Sequence, residues 1–153
     1  MKKLASIGEC FAVPLANGNF GHVQYVYQHE LLSCLIQVFD AITDSPTSAE
    51  HLVSARPLFP PIFVGLYPPV RSGRWRRMGY FVTIDFQFPL FRHRHGVLGG
   101  LPPIWKLWDG LNYSDVQELT PEFMSLEVAC VYSAVDVEER ILTGENKFDK
   151  LWR

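Results

Sequence analysis

The chain has 153 residues, of which 48% are hydrophobic and 14% aromatic, and its formal net charge at pH 7 is −2. This length is sufficient for one folded domain with a real hydrophobic core, and the apolar content excludes an intrinsically disordered chain. The small negative charge argues against a general nucleic-acid-binding protein, although it allows local basic patches.

The N-terminal part of the sequence predicts an antiparallel β-meander over residues 8–40. Asn17-Gly18 lies between two segments rich in β-branched and aromatic residues. This dipeptide is typical of a two-residue hairpin, because both central positions of a type I′ turn need positive φ. We therefore expect paired strands over residues 10–15 and 20–27. The almost uniformly apolar run from Leu32 to Phe39 predicts a third strand that is buried on both faces.

The middle of the chain alternates short apolar segments with prolines and turns. Five prolines between residues 57 and 69 exclude a regular helix across that segment, and a short strand from Ile62 to Tyr67 fits it best. Residues 74–81 predict another strand. The alternation of apolar and other residues over residues 86–90 is typical of an edge strand. Residues 92–103 contain several glycines and basic side chains, which predicts a loop or flexible connection.

Residues 104–144 predict a hairpin, a further strand and a helix. The hairpin would join a strand ending at Asp109 to a strand over residues 112–119, with Asp109-Gly110 at the turn. A strand over residues 126–132 would precede a helix that begins after Ser133 and ends at Gly144. The expected fold is one domain, 1–153, of the α+β class. It is predominantly β, an antiparallel meander closing into a barrel-like, strongly bent sheet with one or two short helices.

Three short segments occur in a recognisable order along the first two thirds of the chain. Gly8-Glu9-Cys10-Phe11-Ala12-Val13-Pro14-Leu15-Ala16-Asn17-Gly18 is similar to the opening pattern of the immunity protein 26 family. That pattern runs Gly-Asp-hydrophobic-Phe-Ala-Ile-Pro-Leu and then a turn ending in Gly. Residues 38–44 resemble the second block of the family and residues 72–79 the third. The resemblance covers roughly residues 5–92, and it departs from the pattern at Ala41, where the family usually has glycine.

This resemblance implies an immunity protein of a bacterial polymorphic-toxin system. Such a protein lies in the cytoplasm of the toxin-producing cell and neutralises a cognate toxin domain by stoichiometric binding. The resemblance implies neither an enzymatic activity nor a cofactor. The expected partner is a protein and not a small-molecule substrate, and the toxin class varies between members of the family.

The cysteines and the hydropathy pattern agree with a cytoplasmic location. Cys10, Cys34 and Cys130 each lie among strand-like apolar neighbours, which indicates reduced thiols in a cytosol-like compartment. No run approaches the ~20 apolar residues of a membrane span. Glu9 interrupts the first apolar stretch too early for a signal peptide. We therefore expect no membrane partner.

The stretch from residue 71 to residue 94 supports an alternative function. It contains six arginines against one acid, Asp85, with Trp75, Tyr80 and Phe81 interleaved. Such a pattern is typical of a groove for single-stranded nucleic acid, so the alternative is a small β-barrel module that binds a single strand through residues 71–94. The acidic balance of the whole chain instead favours solvated arginines with Trp75 packed inward. Nucleic acid is therefore not the expected partner.

No metal site is predicted. His93 and His95 would lie on the same side of a strand, but no Cys, Asp or Glu is close in sequence to complete a tetrahedral set. The flanking Arg92 and Arg94 would also repel a cation. No catalytic site is predicted either, since the chain lacks a Gly-x-Ser-x-Gly elbow, a phosphate loop and a zinc motif.

An inhibitor interface is expected at strand ends and tight hairpins, because ordering loops on binding subtracts from affinity. The predicted partner-binding residues are acids and one aromatic residue at such positions: Asp40, Asp44, Trp75, Asp109 and Asp115. Residues 104–153 carry ten acids against five bases, a balance that would complement a cationic partner. The Asp-Gly turn accounts by itself for Asp109.

Overall fold

The computed structural model describes residues 4–96 and 104–151, which divide into two compact units. The first unit consists of residues 1–86 together with 131–153, and the second of residues 87–130. In the chain, the second unit is therefore inserted between two segments that fold together. Each unit has its own sheet, and one domain over residues 1–153 stays a prediction.

The described residues form ten strands, four helices and one 3-10 turn, Ala49–His51. In chain order the strands are β1 (Glu9–Pro14), β2 (Phe20–His29), β3 (Ser33–Phe39), β4 (Pro57–Val64), β5 (Arg76–Tyr80), β6 (Phe91–His95), β7 (Ile104–Trp108), β8 (Tyr113–Asp115), β9 (Glu127–Val128) and β10 (Val131–Tyr132). The helices are α1 (Tyr67–Ser72), α2 (Pro121–Met124), α3 (Ala134–Thr143) and α4 (Lys147–Leu151).

The first unit is built on a six-stranded sheet in the order β10-β4-β3-β2-β1-β5. All neighbours are antiparallel except β10 and β4, which are parallel. The second unit contains a four-stranded sheet in the order β8-β7-β6-β9. The predicted α+β, mainly β class is confirmed. The predicted barrel is wrong, because neither sheet closes on itself among the described strands: each has two edge strands.

The predicted meander is confirmed, but its first turn differs from the predicted type. β1 pairs with β2 so that Phe11 lies opposite Val23, and β2 pairs with β3. Gly18 has φ +86°, whereas Asn17 does not have a positive φ. The side chain of Asn17 instead accepts a hydrogen bond from the N–H of Asn19 at 3.0 Å. The loop runs from the end of β1 at Pro14 to the start of β2 at Phe20, and it is therefore longer than the two-residue loop of a type I′ turn.

Strand β4 begins earlier than predicted, at Pro57, in spite of its prolines. Its register with β3 shifts on both sides of Val38, near the segment that contains Pro60 and Pro61. On its other side, β10 pairs only with Phe63 and Val64. The proline-containing half of β4 therefore has one neighbour, and a missing N–H on the open side breaks no ladder bond.

Residues 67–90 differ most from prediction. The strand expected to reach Tyr67 ends at Val64, and Tyr67–Ser72 forms helix α1 with prolines in its first turn. A missing N–H has no consequence there, since first-turn N–H groups lack intrahelical acceptors. The predicted edge strand over residues 86–90 is wrong, because those residues form no strand.

In the second unit, the predicted β7–β8 hairpin is confirmed around Asp109 and Gly110, but its second strand covers only Tyr113–Asp115 of the predicted residues 112–119. The predicted loop over residues 92–103 is wrong in its first part, because Phe91–His95 forms β6 in the middle of the sheet. Its remainder, residues 97–103, lies outside the described residues. Arg92 is buried in β6, and its Nε donates to the carbonyl oxygen of Leu126 at 2.8 Å.

The predicted helix between Ser133 and Gly144 is confirmed as α3, with the predicted caps at both ends. The side chain of Ser133 accepts the N–H of Asp136, and the Asp136 carboxylate accepts the N–H of Ser133. Gly144 ends α3 with φ +76°. The expected strand over residues 126–132 is divided into β9, in the second unit, and β10, in the first.

Candidate partner-binding surface

The four acids predicted as partner contacts are all exposed, two in each unit. Asp40 and Asp44 follow β3 in the first unit, and Asp109 and Asp115 belong to the hairpin of the second. The structure thus places each pair in one loop or hairpin region of its own unit. Their role in binding a partner stays a prediction.

Asp109 and Asp115 also have local roles in the hairpin. One carboxylate oxygen of Asp109 accepts the N–H of Asn112 at 2.7 Å and that of Leu111 at 2.9 Å. These backbone bonds hold the pKa of the Asp109 carboxyl below its usual value. Asp115 lies 3.2 Å from the Lys106 Nζ across the β7–β8 pair. Asp109 therefore serves the turn in the way its sequence context indicates.

Trp75 is a core residue, with 1% of its surface exposed. Its indole Nε1 donates to Glu138 Oε2 at 3.0 Å, and the same oxygen accepts from Arg74 Nε at 2.8 Å. The carboxylate of Glu138 is itself buried, so it joins α3 to the segment that precedes β5. The Trp75 side chain is not part of the exposed surface.

The basic stretch over residues 71–94 is divided between the two units after residue 86. In the first unit, Arg74 is paired with Glu138, and Arg77 lies 3.7 Å from a Glu9 oxygen. In the second unit, the buried Arg92 guanidinium stacks 5.0 Å from the Trp105 ring centroid. Of the interleaved aromatic residues Trp75, Tyr80 and Phe81, Tyr80 is exposed, Phe81 is half-buried and Trp75 is buried.

His93 and His95 lie on one face of β6, with ring centroids 4.4 Å apart. Tyr113 packs edge-on against both rings, at 4.9 and 4.7 Å. Burial, and next the neighbouring His95, lower the pKa of His93. Within residues 4–96 and 104–151, no group of three or more His, Cys, Asp and Glu side chains is arranged to hold a metal ion.

Cys10 and Cys34 are both buried, and neither forms a disulfide. Burial, with a smaller effect from Glu9, raises the pKa of the Cys10 thiol to about 12. The thiol therefore stays protonated at physiological pH and is a poor nucleophile.

No helix within the described ranges has both the length and the apolar character needed to cross a bilayer.

Buried Gln24 fixes the segment that follows β5. Its side-chain nitrogen donates to the carbonyl oxygens of Gly8, at 3.2 Å, and Phe81, at 2.8 Å. Its side-chain oxygen accepts the hydroxyl of Thr83 at 2.9 Å. The Phe81 ring packs inward, 6.3 Å from the Phe39 ring. Gln24 thus holds the Phe81 carbonyl and the Thr83 hydroxyl, although Thr83 itself is exposed.

The residues between and beside these anchors expose apolar side chains. Tyr80, Val82 and Ile84 are 71%, 75% and 80% exposed, and Ile7 is 59% exposed. Ile7 lines two shallow depressions, one of about 460 Å³ shared with Tyr80 and a smaller one shared with Val82. We refer to these four residues as the edge surface, because they adjoin β5 at one edge of the six-stranded sheet. The sequence predicts a strand over residues 74–81, which includes Tyr80, and it predicts no element for Val82 and Ile84.

A second exposed surface lies along α3. Val135 and Leu142 are exposed on either side of Glu139, and they line a groove of about 270 Å³ with Leu15 and Ala16 of the first hairpin. The groove also contains the paired Arg74 and Glu138. We refer to Val135, Glu139 and Leu142 as the helix surface. It carries more negative charge than the edge surface.

Comparison with known families gives one match. The family described as immunity protein 26 matches residues 6–95, which include β1 to β6 and more than half of the chain. Comparisons with curated proteins and with solved structures find no match. The three motifs, at residues 8–18, 38–44 and 72–79, lie within the matched range and agree with it. The chain belongs to the immunity protein 26 family.

Proposed function

We propose that this protein binds a cognate bacterial polymorphic-toxin domain and neutralises it by stoichiometric, non-catalytic binding in the cytoplasm. The observation that carries the proposal is the family match over residues 6–95. Those residues include five of the six strands of the first unit's sheet and the whole edge surface. The free, buried cysteines suit a reducing compartment.

The construction of the first unit supports a role in tight binding. A pre-organised surface loses little conformational entropy when it binds, and this raises affinity without new contacts. Here buried polar side chains hold the loops that flank the meander: Gln24 holds the segment after β5, and His22 holds the loop after β3. The exposed side chains on these segments therefore start from fixed backbone positions.

The proposed contacts are the four acids expected from the sequence, Asp40, Asp44, Asp109 and Asp115, whereas Trp75, the fifth expected residue, is buried. The four acids are exposed and suit the rim of an interface with a cationic surface, where charges chiefly accelerate association. Trp75 would contribute indirectly, by fixing α3 through Glu138.

The test is a titration of the toxin by this protein. The first candidate toxin is the product of a gene adjacent to the gene for this chain. We expect purified protein to form a 1:1 complex with the toxin domain, and toxin activity to fall linearly and reach zero at equimolar protein. Complete inactivation at a small fraction of one equivalent would indicate catalysis and overturn the stoichiometric mechanism. Absence of any complex with the cognate toxin would overturn the function itself.

Nucleic-acid binding through residues 71–94 is not supported by a specific contact. Arg92 and Trp75 are buried, and Arg74 is paired with Glu138. We expect no measurable affinity for a single-stranded oligonucleotide at physiological salt. A micromolar, salt-sensitive affinity that decreases in the Arg71→Gln, Arg76→Gln double variant would contradict this expectation.

A further inference from the structure

We propose that His93 and His95 of β6 together bind one divalent transition-metal ion, of the class for which Zn²⁺ is a probe. The two imidazole rings lie on the same face of one strand, and their centroids are 4.4 Å apart. An imidazole nitrogen binds zinc at ~2.0 Å, which places the centroids of two such rings roughly 4.5–5 Å apart. The pair therefore already has almost the spacing of two ligands of one ion. This proposal is independent of toxin binding.

One ring nitrogen of each histidine lacks the partner that a buried polar atom normally has. Nδ1 of His93 and Nε2 of His95 are buried, and neither has a hydrogen-bond partner within the part of the chain that the structure describes. Residues 97–103, which follow β6 in the sequence, are valine, leucine, glycine and proline and so offer no polar side chain. A bound ion or an ordered water is an accepted reason for such atoms in a folded protein. Two of them on adjacent rings favour a single ion that both rings share.

Arg92 and Arg94 flank the histidines in the sequence, but they lie on the other face of β6. Successive side chains of a strand point to opposite faces of its sheet. On that other face Arg92 is buried, and its guanidinium carbon lies 5.0 Å from the centroid of the Trp105 ring. The two arginines therefore do not face an ion held by the histidines.

Neighbouring side chains on the histidine face orient the rings and balance the nearby charge. Tyr113 of β8 packs edge-on against both imidazoles, with centroid distances of 4.9 and 4.7 Å. Ligand side chains that packing already holds lose less freedom when an ion binds. Lys106 lies opposite His93 in β7 and so shares this face. Its Nζ is 3.2 Å from an Asp115 oxygen, and this carboxylate offsets the positive charge.

The number and type of ligands define the class of ion and the strength of binding. Imidazole suits zinc, copper and nickel, whereas Mg²⁺ prefers oxygen ligands. Two imidazoles leave two positions of a tetrahedral zinc ion for water, so the ion is exchangeable and is not a requirement for folding. Both histidines are half-buried, which gives those positions access to solvent.

The main test is calorimetric titration of the whole chain with Zn²⁺ in a reducing buffer at pH 7.5. We expect the parent to bind one ion, and Mg²⁺ to give no binding heat. His95→Gln should bind Zn²⁺ at least about tenfold more weakly, a loss of ~1.4 kcal/mol. The matched control is His51→Gln, which changes an exposed histidine that also has an acid, Glu50, 3.8 Å away. It should bind as the parent does, and melting curves confirm that both variants are folded.

A second measurement on the parent protein tests the site without any substitution. In nuclear magnetic resonance spectra, the ring-nitrogen signals of His93 and His95 should shift together and reach their end point at one equivalent of Zn²⁺. The signals of His51 should stay unchanged. The proposal is wrong if the parent binds no Zn²⁺, if His95→Gln binds as tightly as the parent, or if the two rings do not respond. Ring N–H signals that Zn²⁺ fails to displace would assign the pair to an ordered water and overturn the metal site.

Discussion

Buried polar residues determine the loop positions around the meander, and His22 shows how. Its Nδ1 lies 2.7 Å from the carbonyl oxygen of Ala41, and its Nε2 lies 2.9 Å from the backbone nitrogen of Thr47. A carbonyl can only accept, so Nδ1 carries the proton and Nε2 accepts from Thr47. Protonation of Nε2 would break the second bond, and burial lowers the pKa of His22 from its ordinary value of 6.5.

This arrangement predicts a pH-dependent stability. Because His22 takes up a proton more readily in the unfolded chain, the free energy of unfolding should be highest above pH ~6.5 and should fall as the pH drops below it. Denaturant unfolding at pH 7.5, 6.5 and 5.5 measures the effect. A His22→Gln variant should show a smaller decrease. Some dependence should persist, since the pKa of His93 is also lowered.

The control for the pH experiment is His51→Gln, a change at an exposed side chain. It should keep the pH dependence of the parent. If His22→Gln retains the full decrease between pH 7.5 and 5.5, the two hydrogen bonds of His22 do not govern the acid sensitivity.

The hydrogen bond between Trp75 and Glu138 predicts that a change at Glu138 lowers the stability of the protein. Glu138→Ala leaves the buried indole N–H of Trp75 without its acceptor, and an unsatisfied buried donor costs ~1–3 kcal/mol. The adjacent Glu139→Ala is the matched control, because Glu139 is exposed on the same helix. Denaturant midpoints should separate the two variants. Equal midpoints would mean that the indole finds another partner.

Among the secondary-structure elements, α3 and β2 make a contact that depends on a missing side chain. A Cβ at Gly21 would lie 3.0 Å from Ile141 Cδ1 and 3.1 Å from its Cγ2. Helix α3 thus packs against the sheet at the point where β2 has no side chain. The pairing of Val13 with Gly21 places this point on the same face as Phe11.

We expect Gly21→Ala to destabilise the protein by ~1–3 kcal/mol through overpacking. Gly65→Ala is the control, since its Cβ would have no atom within 4 Å and its φ is not positive. In an Ile141→Val background, which lacks Cδ1, the cost of Gly21→Ala should be smaller. If the stability effects of Gly21→Ala and Ile141→Val simply add in the double variant, the glycine and the isoleucine do not interact.

The elements that the sequence predicted well are those with strong local signals. The first hairpin has a turn dipeptide, β3 has an apolar run and α3 has a cap at each end, and all three elements are confirmed. β6 was missed because Arg92 resembles a solvated residue until Leu126 and Trp105 are placed beside it. Such partners are distant in sequence. The edge surface was missed for the same reason, since only the strand order shows that β5 has an open side.

At the scale of the whole molecule, the first unit needs both of its chain segments. Residues 131–143 supply β10, which extends the sheet beside β4, and α3, which covers Gly21. The family match ends at residue 95 and so includes neither element. The matched region is therefore part of a folding unit and not a whole one.

A chain ending at residue 130 should therefore lose its cooperative unfolding transition, because the α3-facing side of the sheet would be left uncovered. A chain ending at residue 146, which keeps β10 and α3, is the control and should retain a transition. Circular dichroism during thermal unfolding distinguishes the two. A cooperative transition in the shorter chain would mean that the meander is stable by itself.

The return of the chain to the first sheet has a consequence for biosynthesis. The ribosome makes residues 1–86 first, then the 44 residues of the second unit, and only then β10 and α3. At ~5–20 residues per second, the newly made meander waits several seconds with its helix-facing apolar side open to solvent or chaperones. Nascent chains released early would have the family motifs but no finished sheet. Under the proposed function, a cell would gain protection only from chains that have been made through α3.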